Sequence, residues 1–83
     1  MNRKNIDMEQ EYNKLLKWFE KGKGQRVLEV GVYNDEITEI TFNPKYEVIR
    51  ISLHRNKTLT VSEKDMKFLK IDKKYKDILM YLG

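Results

Sequence analysis

The feature that most restricts this chain is a run of alternating apolar residues between Arg26 and Val61. Over residues 26–33, Leu28, Val30 and Val32 alternate with Val27, Glu29, Gly31 and Tyr33. Over 36–42, Thr38, Ile40 and Phe42 alternate with Ile37, Glu39 and Thr41. Over 46–54, Ile49, Ile51 and Leu53 oppose Tyr46, Val48, Arg50, Ser52 and His54. Over 57–61, Leu59 and Val61 oppose Thr58 and Thr60. A period of two puts each set on its own face of a pleated strand. The joints are turn-like: Asn34-Asp35, Asn43-Pro44-Lys45 and Arg55-Asn56. Pro44 also ends any ladder there, because it has no N–H to donate. Four such segments with short joints predict an antiparallel meander. The expected inward set is Leu28, Val30, Val32, Ile40, Phe42, Ile49, Ile51, Leu53, Leu59 and Val61. Gly31 inside a strand predicts a bulge or a close backbone approach.

The flanking segments read as helices. Met8, Tyr12, Leu15, Leu16 and Phe19 form one stripe at helical period, which predicts a helix over about 6–21. Trp18 lies on the flank of that stripe, at the edge of a core. Gly22 and Gly24, with Lys17, Lys21 and Lys23 nearby, are stop signals for left-handed geometry and for the helix dipole. The last segment opens on Ser62, a good N-cap, with Asp65 completing a shortened capping box. Phe68, Ile71, Tyr75, Ile78 and Leu82 then recur three and four apart, with Leu79 beside them. A second line, Met66, Leu69 and Met80, runs opposite. If that helix is unbroken, the second line is uncovered and predicts a homodimer through the C-terminal helix. A break near 71–73, with Asp72 capping a second short helix, removes the need. The expected fold is a single α+β domain over 1–83. It has an N-terminal helix, a four-stranded antiparallel β-meander and a C-terminal helix, continuous or broken near 71–73.

Size and composition bound the function. Eighty-three residues allow one modest core and no second domain. No apolar run approaches the roughly 18 residues of a membrane span. The opening Met-Asn-Arg-Lys-Asn lacks the apolar centre of a signal peptide, so the expected location is cytoplasmic. With no Cys there is no disulfide framework, thiol nucleophile or thiolate metal site. The net charge of +4 conceals three blocks: +3 over residues 1–26, −4 over 27–49 and +5 over 50–83. A polyanion is drawn to the two ends and repelled by the middle.

Catalytic constellations are weak. His54 is the only histidine, which leaves a metal site with carboxylates almost alone, so no metal or other cofactor is expected. Asp35, Glu36 and Glu39 form an acidic cluster without the EF-hand pattern, and they read as solvated turn residues. Gly22-Lys23-Gly24 follows a helix, the wrong context for cradling phosphate. A Ser-His-Asp set drawn from Ser52 or Ser62, His54 and Asp65 has no nucleophile-elbow context. The expectation is a non-enzymatic protein. A small ribonuclease-type toxin is the enzyme to weigh against it.

Binding is the better class. The outward sheet face holds Val27, Tyr33, Ile37, Tyr46, Val48, Arg50 and His54, diluted by Glu29, Glu39 and threonines. Tyr and Arg on a strand face suit stacking on unpaired bases. Arg50, His54, Arg55 and Lys57 cluster around one hairpin end and suit phosphate. The first expectation is a single-stranded nucleic-acid binder using Tyr33, Lys45, Tyr46, Arg50, His54, Arg55 and Lys57. The alternative is a small inhibitor of phage or mobile-element type that docks Asp35, Glu36 and Glu39 on a host protein.

One family resemblance bears on this. The stretch Phe42-Asn43-Pro44-Lys45-Tyr46-Glu47-Val48-Ile49-Arg50 is followed by Lys57-Thr58-Leu59-Thr60-Val61-Ser62-Glu63-Lys64-Asp65 and runs on to Leu69. Together they resemble the end of the transcriptional positive-coactivator family of single-stranded-DNA binders. The shared features are a Pro-Lys-Tyr-acidic strand opening with a later Arg, and a last strand running through Ser into an acidic, apolar-periodic helix. The resemblance implies four antiparallel strands, dimerisation through the final helix, and DNA laid across the sheet over Lys45, Tyr46 and Arg50. It covers about a third of the chain. The chain departs from the family in its N-terminal helix, in having no Trp in the second strand, and in its acid-rich first hairpin.

Overall fold

The computed structural model of the chain describes residues 6–83. Elements follow in the order α1 (Met8–Lys21), β1 (Val27–Val30), β2 (Tyr33–Asn43), β3 (Val48–Leu53), β4 (Thr58–Val61), β5 (Leu69–Ile71) and β6 (Ile78–Tyr81). A 3₁₀ helix, Glu63–Phe68, joins β4 to β5. The strands form one sheet in the order β4-β3-β2-β1-β6-β5. Neighbours are antiparallel except β1 and β6, which run parallel.

This corrects the expected four-stranded meander with a C-terminal helix. The sheet is six-stranded and mixed, and no α-helix follows β4 among the described residues. The three-and-four spacing after Ser62 was misleading, because the strands take alternating residues from across both expected lines, Leu69 with Ile71 in β5 and Leu79 with Tyr81 in β6. Leu69 and Ile71 face Tyr81 and Leu79 across the β5–β6 pair, and Lys70 and Met80 take the other face. Pairing with β6 also covers the second edge of β1, whose N–H and C=O groups would otherwise need water. The start signals are used, but for turns. The Asp65 carboxylate accepts from the Ser62 N–H (3.2 Å) and hydroxyl (3.0 Å), and opens only the 3₁₀ helix. The Asp72 carboxylate accepts from the N–H groups of Lys74 (2.7 Å) and Tyr75 (2.9 Å), and so closes a turn. The dimer proposed through a C-terminal helix loses its basis. Leu69 is a core residue, Met66 packs against the core half-buried, and Met80 sits on a β-strand.

Two further corrections concern the first hairpin. Its turn is Gly31-Val32, between the paired Val30 and Tyr33. Gly31 takes a φ of +61°, the left-handed value that a two-residue hairpin loop requires at its first position. Val32 therefore lies fully in solvent, where alternation had placed it in the core. Asn34-Asp35 is strand, so Asp35 turns inward. Farther along β2 the register with β3 shifts between Ile37 and Glu39. This bulge lets Ile37 and Ile40, three residues apart, both face the core, where Ile37 had been assigned outward.

The core is formed by Leu28, Ile37, Ile40, Ile49, Ile51, Leu53, Val61, Leu69 and Leu79 from the sheet and by Met8 and Leu15 from α1. α1 packs over β2 and β3, with Tyr12 stacked on Phe42 at 5.5 Å. Asp7 caps it, its side chain accepting from the N–H groups of Glu9 and Gln10. At its other end Gly22 is still right-handed, and Lys23 and Gly24 make the left-handed exit. Six residues of 3₁₀ helix rise only about 12 Å. The edges of a flat six-stranded sheet lie about 24 Å apart, at roughly 4.8 Å per strand step. The sheet is therefore curled, bringing β4 and β5 within reach of one short link.

Candidate nucleic-acid interface

The predicted basic and aromatic residues divide between the two ends of β2. At its first end, the 54–57 turn is closed by Leu53 N–H to Lys57 O (2.8 Å) and Asn56 N–H to Leu53 O (3.1 Å). Asn56 adopts the left-handed conformation that the turn needs, a role Asn tolerates better than most residues. The His54 N–H donates to Glu36 O at 3.0 Å and ties the turn to β2.

Asp35 makes the second tie. Its side chain is buried and accepts from the backbone N–H of Arg55 (2.9 Å), from the N–H of Glu36 (2.8 Å) and from the Tyr33 hydroxyl (3.4 Å). Burial pushes the Asp35 carboxyl upward. The Arg55 and Glu36 N–H groups, the Arg55 charge and the Tyr33 hydroxyl outweigh that, and hold it below the usual aspartate value. With its turn pinned, Arg55 sets its guanidinium 5.9 Å from the centre of the Tyr33 ring, and the Lys57 ammonium lies 5.0 Å from the same ring. Both are within cation–π range. Tyr33, Asp35, His54, Arg55 and Lys57 are thus one unit. Beside it lies an open cleft of about 500 Å³ bounded by Val27, Asn34, Asp35, Glu36, His54 and Arg55.

Lys45 and Tyr46 are elsewhere. They belong to the turn at the far end of β2, where the Asn43 side chain accepts from their N–H groups at 2.9 and 3.4 Å. Tyr46 is therefore a turn residue, not a member of the outward strand face, and Lys45 lies over its ring at 5.3 Å. That end borders an open cleft of about 900 Å³ in which Glu11, Glu47 and Glu63 offset Lys45, Lys64 and Lys67. Arg50 is on the outer sheet face, between Thr41 and Thr60. Tyr33 pairs with Val30 on the inner face, and not on the outer face.

Of the acidic trio, Asp35 is internal and structural, which corrects its assignment as a solvated docking residue. Glu36 and Glu39 are exposed on the outer face, near half-buried Glu29. Among the described residues no group of three or more His, Cys, Asp or Glu is placed to hold a metal ion. No helix among them is long and apolar enough to cross a membrane.

Sequence reasoning missed one junction. The Trp18 indole N–H donates to the Lys76 carbonyl at 2.6 Å. Arg26 Nε donates to the Trp18 carbonyl at 3.0 Å, and its guanidinium lies 5.0 Å from the Trp18 ring. No spacing links residues 18 and 76, and the only signal was the positive charge of both chain ends. No family model, curated protein or solved structure matches the chain, so its site is read from its own geometry.

Proposed function

We propose that the chain is a non-enzymatic module that binds single-stranded nucleic acid on the Tyr33–Arg55–Lys57 platform. The observation that carries this is the convergence of two cations on one aromatic ring, with their turn anchored by buried Asp35. An aromatic ring with adjacent cations suits a base and its flanking phosphates, each base stack contributing roughly 1–3 kcal/mol. His54, exposed on the same turn, adds a further donor. The platform replaces the mode implied by the coactivator resemblance. DNA laid across the outer face would meet Glu29, Glu36 and Glu39 there, and Lys45 and Tyr46 lie at the opposite end.

A labelled oligonucleotide titrated at several salt concentrations tests the proposal. Arg55→Ala with Lys57→Ala should flatten the dependence of log affinity on log salt by about 1.4, at about 0.7 per phosphate contact on a single strand. Absence of binding at about 50 mM salt overturns it.

One observation favours a second reading. Glu29, Glu36 and Glu39 share the outer face of β1 and β2, a surface suited to a basic groove on a protein partner. Glu36→Lys with Glu39→Lys should abolish such an association, and retained association removes this reading.

A further inference from the structure

We infer that the 72–77 loop, together with the last turn of α1, is a second contact surface for the same nucleic-acid strand. This rests on the nucleic-acid reading of the Tyr33 platform. The loop is built, not slack. The Asp72 carboxylate accepts two N–H groups at its start. The Asp72 N–H donates to Ile78 O (2.9 Å), the Ile78 N–H to Tyr75 O (3.0 Å), and the Val27 N–H to Asp77 O (3.0 Å). The Trp18 indole holds the Lys76 carbonyl. So fixed, the loop presents Lys73, Lys74 and Lys76 to solvent, with Tyr75 53% exposed among them. Lys74 sits 5.2 Å from the ring of its neighbour Tyr75, a local pair like that of Lys45 and Tyr46.

The Trp18 bond also joins two basic blocks that are remote in sequence. Residues 17–26 carry four cations against Glu20, and 72–77 carry three against Asp72 and Asp77, which is net +4 at one junction. The loop itself is net +1, because Asp72 and Asp77 both stay charged, and the cations of residues 17–26 supply the rest of the positive field at the junction. The junction is also close to the platform. His54 of the turn after β3, Glu36 of β2, Val27 of β1 and Ile78 of β6 are successive neighbours. Three strand steps of about 4.8 Å separate the ends of that row by about 14 Å along the sheet. A strand of a few nucleotides spans that distance. An exposed Tyr amid lysines favours a base-bearing polyanion over a purely ionic surface.

The test measures salt-dependent affinity for labelled oligothymidine in three proteins. Lys73→Ala with Lys74→Ala and Lys76→Ala should lower the salt slope by about 2 and weaken binding about tenfold or more at low salt. Lys→Gln versions, which keep the aliphatic stem, replace these if the melting curve changes. If this variant keeps the wild-type slope while Arg55→Ala with Lys57→Ala loses its share, the second surface is refuted and the platform stands. If the loop variant weakens binding and the platform variant does not, the loop is supported and the platform is refuted. No binding by the wild-type protein removes both. Tyr75→Ala should weaken binding about fivefold or more, and an unchanged affinity overturns the stacking role.

Discussion

The turns at 44–47 and 54–57 carry similar side chains and differ in what holds them. In the first, Lys45 lies over the ring of its own neighbour, Tyr46, and the turn is shaped by the adjacent Asn43 side chain. Both of these interactions are local. In the second, the ring is Tyr33, more than twenty residues upstream, and the turn is anchored by Asp35 and by Glu36 O. Local cation–aromatic pairs form wherever the two residues adjoin, so they carry little information about function. A pair assembled from separate strands needs the whole sheet to be in place. Both turns border a cleft with acidic lining, Glu11, Glu47 and Glu63 at the first and Asp35 and Glu36 at the second, where the Asp35 carboxylate accepts from the turn's own Arg55 N–H.

The largest expected effect comes from removing the sheet beneath the second turn. Leu53 is buried immediately before it. Leu53→Ala should lower unfolding free energy by about 2–5 kcal/mol in urea titration, a large part of the 5–15 kcal/mol typical of a domain. Nucleic-acid affinity should fall with it if the platform depends on the sheet. Next, exchanging the sites separates the turns by function. Arg55→Ala with Lys57→Ala should weaken oligonucleotide binding about tenfold at low salt, whereas Lys45→Ala with Tyr46→Ala should change it less than twofold in the same anisotropy assay. Equal losses would erase the distinction drawn between the two turns.

A third measurement addresses the anchor itself. The Asp35 carboxyl titrates lower in the folded chain than in the unfolded one, so the unfolded state takes up the proton first on acidification. Its contribution to stability is complete above about pH 5 and fades as pH falls through the folded value, below the usual 3.9 or so. Asp35→Asn should lower the melting temperature at neutral pH and flatten its decline below about pH 4. A residual decline remains from Asp65 and Asp72. Backbone and hydroxyl donors from Ser62 hold Asp65 low, and the N–H groups of Tyr75 and Lys74 hold Asp72 low. An unchanged acid limb in the Asn variant would show that Asp35 does not pin the turn. The smallest effect is expected at the other turn. Asn43→Ala removes two exposed hydrogen bonds, should cost about 0.5–1 kcal/mol by chemical denaturation, and should leave nucleic-acid affinity unchanged.

Legibility followed the range of the interactions. α1 was readable because its stripe and its basic exit lie within one segment, although its Asp7 cap was not read. The inward alternation of Ile49, Ile51 and Leu53 was readable because β3 is flanked on both sides by antiparallel strands. The first hairpin was not. Two turn signals, Gly31 and Asn34-Asp35, lay three residues apart, and choosing the second exchanged Val32 for Asp35 in the interior. The bulge after Ile37 left no mark in the pattern, because an inserted residue looks the same as a change of face. Of the site, Arg55, Lys57 and Tyr33 were named from chemistry alone, but their assembly around Asp35 was not.

By itself the amino-acid sequence determined the N-terminal helix, the apolar periodicity of the strands and the opposition of basic ends to an acidic middle. These depend on neighbours within a turn or two of the chain. Only the tertiary structure decided the C-terminal third. There the apolar residues can be read as a helical stripe or as two short alternating pairs, Leu69 with Ile71 and Leu79 with Tyr81, and the open edge of β1 selected the strands by offering hydrogen bonds to β6. Tertiary structure also decided where the charges meet. Trp18 and Lys76 come together because the parallel β1–β6 pairing brings the end of α1 beside the 72–77 loop.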